Sequence, residues 1–405
     1  MAMPIEKIEI GLVNSPAGAL RFTLDDGIKG VLDNTEYPLG GDSVFVDVTD
    51  RVRRFSLSRG RSSLFSSFPA GQLNVEFNNH DRAFDPLYAS SPFAGDIVPR
   101  REIRATTGSA VVYSGWIDDW NYSYLPDGDS VAEAIAYDAT SILSGQTLAA
   151  GTPTTQLSGA RVNDVLDQIA WSPTLRNIDA GQATLGTAVI NADTNAMSYL
   201  QQIASSEVGL VFVGKDGAVN FLDRAQGPTS TSLVTFGGTG IPFQSLEVLY
   251  GSDNLYNSVI LGRTGGGTAT ATDLDSVADY GLRTLTQSDL LLSTDIALAD
   301  TALALVQRYS QPEYLFNSLE IALHKLSPSQ QAQILGMEIG SIGEVIFTPN
   351  SIGDPIERYV QVISINHTVS PDSHYVEFGF QSVESAYLVL DDAEFGKLDT
   401  YSLSW

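Results

Sequence analysis

The sequence contains no cysteine, which excludes disulfides, thiolate metal sites and a cysteine nucleophile together. That absence fits assembly in a reducing cytoplasm. Histidine is nearly as scarce. His80, His324, His367 and His374 are the whole supply, without HExxH or comparable spacing, so a histidine-built metal centre has few ligands to draw on. No stretch nears the roughly 18 continuous apolar residues of a membrane-spanning helix. The start, MAMPIEKIEIG, lacks an apolar run between a basic end and a small-residue cleavage site, so it does not read as a secretory signal. Positive charge is short as well: 22 Lys and Arg face 48 Asp and Glu, a formal net charge of -26. A surface this acidic repels phosphates and argues against a nucleic-acid reader. It suits solubility, or a conduit through which DNA slides without sticking. The expectation is a soluble protein with no membrane anchor.

What the chain does have is alternation. At roughly 100–200 residues per domain, 405 residues allow two to four domains. Residues 1–135 read as β-rich, with candidate strands at Ile8–Val13, Leu20–Leu24, Ser43–Val48, Phe55–Ser58, Leu73–Asn78, Ile103–Thr107 and Val111–Trp120. Helical spacing first emerges over Ala132–Ser144, with Ala136, Ala139 and Leu143 on one face. The Gly/Thr/Pro/Ser-rich stretch from Gly145 to Gly159 marks a first boundary.

An α/β segment follows. Ser158 is placed to cap a helix carrying Val162, Val165, Leu166 and Ile169, and Asp193 or Thr194 to cap a second carrying Met197, Leu200 and Ile203. Lys215-Asp216-Gly217 between LVFVG and AVNFL signals a hairpin, because glycine tolerates positive φ. The linker Gly227–Ser232 ends this unit. Strands then return at Ser245–Tyr250 and Asn257–Gly262, followed by RTGGGTATAT, expected as a flexible loop. Thr294 caps a helix with Leu298, Ala302 and Leu305, and Ser327-Pro328 opens a short helix ended by Gly336. Leu315–Leu323, Gly343–Phe347, Arg358–Thr368 and His374–Gln381 complete the strands. The expected fold class is mainly β with an α/β insert. The blocks are 1–150, a small α/β unit at 151–234, a second β block at 235–380, and an extension at 381–405 whose Asp391, Asp392 and Glu394 reach toward a neighbour.

Candidate chemistry is thin. Gly262–Thr268 is glycine-rich, but no Gly-Lys-Ser/Thr follows, so a phosphate loop is not supported. Asp273, Asp275 and Asp279, and Asp127 with Asp129, lack the order and terminal Glu of a calcium loop and read as solvated loop acids. His367 and His374 flank a Ser-Pro-Asp turn and should approach each other across a hairpin, yet two imidazoles alone make a poor metal site. Asp118 and Asp119, adjacent on a strand, point to opposite faces and do not readily share a glycosidase site. No GxSxG elbow is present. The chain therefore offers no catalytic, cofactor-binding or metal-binding residue and reads as non-enzymatic, with hydrolase activity left open. The pattern that stands out is Arg51, Arg53, Arg54, Arg59 and Arg61, a basic cluster in an acidic chain. Two readings apply: a charged strand edge that discourages wrong pairing, or contacts between subunits in which guanidinium forks meet a neighbour's carboxylates.

These arginines sit inside Val44–Pro86, VFVDVTDRVRRFSLSRGRSSLFSSFPAGQLNVEFNNHDRAFDP. The segment closely resembles the N-terminal signature of minor tail proteins from long-tailed bacteriophages, in which a DVTDRVR…RGR strand pair leads into an AG…V.F.N.DR.FDP hairpin. SGWIDDW (Ser114–Trp120), YDATSIL (Tyr137–Leu143), YNSVIL (Tyr256–Leu261), DYGLRTL (Asp279–Leu285), ILGMEIG (Ile334–Gly340), GDPIERYVQVISINHTV (Gly353–Val369) and HYVEFGF resemble further family segments in the same order. The resemblance implies a tail-tip or baseplate hub: a homotrimer in which each chain supplies two tail-tube-like β-barrels, making a pseudo-sixfold ring. The implied partners are its own copies, the distal tail or tail tube protein, the tape-measure protein, and tail fibre or spike proteins, with DNA passing through without specific binding. It implies a place in the virion tail tip after assembly in the host cytoplasm. A hexameric distal tail ring, a cell-wall hydrolase of the tail tip and a free carbohydrate-binding module remain alternatives.

Overall fold

The structure is a computed structural model that describes residues 7–13, 27, 44–108, 110–225 and 234–383. In the N-terminal block the alternating apolar residues form β1 (Lys7–Leu12), β2 (Val44–Asp47), β3 (Val52–Gly60), β4 (Gln72–Asn78), β5 (Glu102–Thr107), β6 (Ala110–Tyr124) and β7 (Ser130–Tyr137). Their antiparallel ladder runs β3-β4-β7-β6-β5-β1-β2. Its two end strands, β2 and β3, are consecutive in the chain and joined by the short turn Thr49–Arg51. The sheet therefore curls until its ends meet at a covalent corner. Ile8 N pins that corner by donating to Thr49 Oγ1 (2.8 Å), and Val48 N by donating to Ile8 O (2.9 Å).

The C-terminal block repeats the plan. Its ladder passes from Val234–Gly237 through Ile342–Phe347, Ile356–Ser370, Ser373–Val383 and Glu313–Ala322 to Ser245–Gly251. Again the two end strands follow one another in sequence. Each half thus has the curl of a barrel, although among the described residues no ladder closes one. The halves fuse where β3 pairs with the Ile356–Ser370 strand, from Phe55↔Val369 to Gly60↔Ser364, giving one sheet of 13 strands. Ser58 Oγ donates to Asn366 Oδ1 (2.8 Å) across this seam. Gly60 is required there: its φ is +122, and a Cβ would lie 2.3 Å from Ile363 O and Ser364 Cα.

One hydrophobic core runs through both halves, with Leu57, Val75, Phe77, Phe316, Val362 and Phe378 among its buried members. A second core belongs to the α/β insert. Helices Ser158–Gln168 and Ala196–Glu207 contribute Val162, Leu166, Leu200 and Ile203, and the hairpin Leu210–Leu222 contributes Val211 and Phe221. Leu261, Leu298 and Leu305 join this second core. The three-stranded sheet of Ser258–Arg263, Thr268–Thr272 and Thr284–Leu290, with the helix Asp295–Tyr309, therefore packs with the insert although the sequence places it in the second β block. Among the described residues no helix is long and apolar enough to cross a membrane.

Several local expectations need correction. Ala132–Tyr137 is strand β7, and the only helix there is Thr140–Leu143. Ala132, Ala134 and Ala136 are fully buried on one face of β7, between β4 and β6, and pairing on both sides overrides alanine's helical preference. RTGGGTATAT is not a loop: Thr268–Thr272 pairs back on Ser258–Gly262 about a tight turn, with Gly265 at φ +70. Ser158 does not cap its helix, because its hydroxyl donates to the buried Glu207 Oε2 (2.6 Å) instead. Asn195, rather than Asp193 or Thr194, caps the next helix by accepting from Ser198 N. Thr294 and Ser327 cap as expected, the latter in a full capping box with Gln330. The Lys215-Asp216-Gly217 hairpin is present, with Gly217 at φ +83. The expected strand Leu20–Leu24, the linker Gly227–Ser232 and the acids Asp391, Asp392 and Glu394 lie outside the described residues.

Candidate functional site

The basic cluster divides in two along β3. At the strand's start the side chains lie at the surface and each meets a carboxylate of this same chain. Arg51 Nη1 donates to both oxygens of Asp81 (2.9 and 2.8 Å) and lies 6.0 Å from the Phe84 ring centroid. Arg53 grips Asp129 with both terminal nitrogens, one of them at 2.9 Å. That bidentate bond raises the Arg53 pKa and lowers that of Asp129. Arg54 Nε donates to Glu76 Oε2 (2.8 Å), and with a side chain 71% exposed it is the most accessible of the five.

At the strand's end the pattern reverses. Beyond the bulge between Val52 and Arg54 the strand alternates regularly, so Arg59 shares the inward face with Phe55 and Leu57. Its guanidinium Nη2 donates to Glu338 Oε1 (2.7 Å) and Val213 O (2.9 Å). Glu338 also accepts from Lys215 N (2.8 Å), while Lys215 Nζ donates to Leu335 O (2.7 Å) and Gly336 O (2.9 Å). Burial lowers the Lys215 pKa. One ion pair therefore ties together the first half (Arg59), the insert hairpin (Val213, Lys215) and the second half (Glu338). The sequence held a signal for this joint: Phe55, Leu57 and Arg59 share the parity of a buried strand face.

The His367–His374 approach is realised. The two rings bond through Nδ1 and Nε2 at 3.0 Å, and His374 N donates to His324 Nδ1 (3.2 Å). Burial lowers the His367 pKa well below its ordinary value, helped by His374, Arg59 and Lys215, and brings His374 down to about 4, with His324 adding to the effect. Both rings are neutral at pH 7. Asp273 caps the helix Leu274–Tyr280, accepting from Asp275 N and Ser276 N, and Asp129 is committed to Arg53. Asp118 lies 3.4 Å from Arg100 at the surface.

Where the two halves and the insert meet, a cavity of about 500 Å³ opens. The β3–β4 loop supplies Arg61, Phe65 and Phe68 to its wall, and Arg224, Arg308 and Gln381 come from the other bodies. Arg61 stacks over Phe68 at 5.2 Å and donates from Nη2 to Gln381 Oε1 (2.7 Å), but among the described residues its buried Nε has no hydrogen-bond partner. Burial pulls its pKa down to about 10.

No protein-family model matches the sequence, and no curated protein is similar to it. Solved structures do resemble it in shape. The tail protein from Neisseria meningitidis MC58 superposes with a TM-score of 0.57 at 12% identity, covering 85% of this chain and 95% of that one. The 43 kDa tail protein of prophage MuSo2 from Shewanella oneidensis gives 0.54 at 15% identity, covering 85% and 96%. Prophage tail protein gp18 from Listeria monocytogenes EGD-e gives 0.50 at 11% identity, covering 94% and 95%. Correspondence over nearly the whole length of both partners establishes the architecture: this chain has the fold of the prophage tail proteins.

Proposed function

We propose that the protein is a structural component of a phage or prophage tail tip: a homotrimeric baseplate hub that joins a sixfold tail tube to threefold tip, fibre or spike proteins and lines the DNA exit channel. The observation that supports this reading most is the duplication of one plan. Two curled β halves stand fused in a single sheet, so three chains supply six similar units. Among the described residues the sheet leaves three outer strands with a free ladder edge, β2, Val234–Gly237 and Ser245–Gly251, and a ring of copies covers such edges by pairing them. A net charge of -26 suits a channel wall from which DNA must slide freely. The function is mechanical and non-enzymatic, carried by surfaces rather than by a reacting group. Assembly takes place in the host cytoplasm.

Arg51, Arg53 and Arg54 are the surface candidates for contacts between copies, exchanging their present partners for a neighbour's carboxylates. Arg59 and Arg61, enclosed within the chain, serve its internal joints instead. Native mass spectrometry and negative-stain imaging of the purified protein test the reading, with cryo-electron microscopy of the particle placing the chain. Three copies per ring at the tail tip are expected. Six copies per ring would move the protein to a distal ring, and its absence from the tail would end the proposal.

A further inference from the structure

The cavity at the three-way junction brings three arginines of this acidic chain to one wall. Arg61, Arg224 and Arg308 line it with Asp223; Arg224 lies 3.6 Å from Glu207 and Arg308 3.2 Å from Glu313, so the charge left to answer is that of Arg61. Arg61 carries the argument, because its buried Nε has no hydrogen-bond partner and its guanidinium no ion pair among the described residues. Leaving a buried guanidinium donor unpaired is costly, and a carboxylate is its natural complement. Beside it the wall is apolar and aromatic, with Leu64, Phe65, Phe68 and Tyr309. An occupant that fits must therefore be both acidic and apolar, and of a few side chains' volume.

The chain carries such a segment where it is needed. Gln381, Ser382 and Val383 are themselves part of the cavity wall, and Arg308 Nη2 holds Ser382 O (2.8 Å). Beyond Val383 the sequence continues as ESAYLVLDDAEFGKLDTYSLSW. That stretch has Glu384, Asp391, Asp392, Glu394 and Asp399 against the lone Lys397, interleaved with Leu388, Leu390 and Phe395. At roughly 3.3 Å per residue, the eight residues from Val383 to Asp391 reach up to about 26 Å, ample for a return into a cavity whose wall is their point of departure. We propose that the cavity seats the chain's own C-terminal segment, with the Asp391-Asp392-Ala393-Glu394 acids facing Arg61 and the neighbouring leucines and Phe395 facing the aromatic wall. The interaction is intramolecular and stands whether or not the protein occupies a tail tip.

The absence of cysteine makes the test clean. Ser67→Cys on the cavity rim and Ala393→Cys in the segment are introduced together in the full-length protein. Mild oxidation, peptide mass spectrometry and non-reducing electrophoresis then score the crosslink. The control pairs Ala393→Cys with Asp127→Cys, which lies in the turn at the far end of the β6–β7 hairpin from the β3–β4 loop. The expected result is an intramolecular crosslink at least fivefold more abundant for Ser67 than for Asp127. It should fall at least threefold when Asp391, Asp392 and Glu394 become Asn, Asn and Gln, or when Arg61→Gln is added, with the melting temperature tracked to confirm folding. Equal yields for the two pairs, or indifference to both neutralisations, overturn the proposal. So does a crosslink found only between two molecules, which would assign the cavity to a neighbour's segment.

Discussion

Arg51, Arg53 and Arg54 at the start of β3 each meet one carboxylate in contact with water, whereas Arg59 a few residues on is enclosed and holds three bodies of the protein at once. The chemistry of the side chain is the same, and its surroundings decide what it is worth. An exposed pair gains little, about 0.2–1 kcal/mol, because water and salt screen it and two long side chains lose their freedom. A buried pair adds little over an apolar substitute, but removing one member leaves the other uncompensated, at a cost of about 3–5 kcal/mol. The outer arginines can therefore change partners at little cost, and the inner one cannot.

Breaking the enclosed end should give the largest effect. Arg59→Met leaves Glu338 without its cation and Val213 O without its donor, and a loss of about 3–5 kcal/mol is expected in urea unfolding; a loss below about 1 kcal/mol would remove the distinction between the two ends. Acid attacks the same region from the neighbouring histidines. The folded pKa of His374 is about 4 against 6.5 unfolded, so between those values the unfolded chain binds more protons. Stability is complete above pH 6.5 and falls by roughly 3 kcal/mol as the pH drops toward 4, with His367 acting in the same direction under pressure from Arg59 and Lys215. His374→Gln should flatten that slope in pH-dependent melting curves, and an unchanged slope would place the acid sensitivity elsewhere. Gly60→Ala tests the seam itself. Its Cβ meets backbone at 2.3 Å, so a loss of about 1–3 kcal/mol is expected from overpacking and positive φ, readable as a lower thermal midpoint. Smallest is Arg54→Ala, which should shift stability by less than about 1 kcal/mol in the same unfolding assay; a larger cost would show that the surface pairs are structural after all.

Much of this contrast is legible in the sequence, and the limits have physical causes. Strands with a clean alternation, such as Leu73-Val75-Phe77, read directly, and so do the caps at Thr294 and Ser327, because each is a local arrangement. The His367–His374 contact follows from a short hairpin. What fails is what depends on distant partners. Nothing near Ser158 announces that its hydroxyl belongs to Glu207, 49 positions on. The alternating alanines of β7 look helical until β4 and β6 are placed on either side. Parity with Phe55 and Leu57 reads Arg59 as inward, but the bulge after Val52, set by pairing with β4, stops the same count from being carried back to Arg53. The pairing of Phe55–Gly60 with Ser364–Val369 has no signature at all in either segment.

That last pairing sets a timetable. Ser58 and Asn366 are 308 positions apart. A ribosome adding about 5–20 residues per second makes β3 roughly 15–60 s before the strand that covers it. For that interval the nascent N-terminal half presents a bare ladder edge, the kind of surface on which chains stick to one another. Arg59 lies within this edge, and its acid, Glu338, is 279 positions on, so until then an uncompensated charge opposes pairing with the same edge of a neighbouring nascent chain. The arginine that is most enclosed in the folded protein is thus a bare charge on an open strand while the chain is still being made.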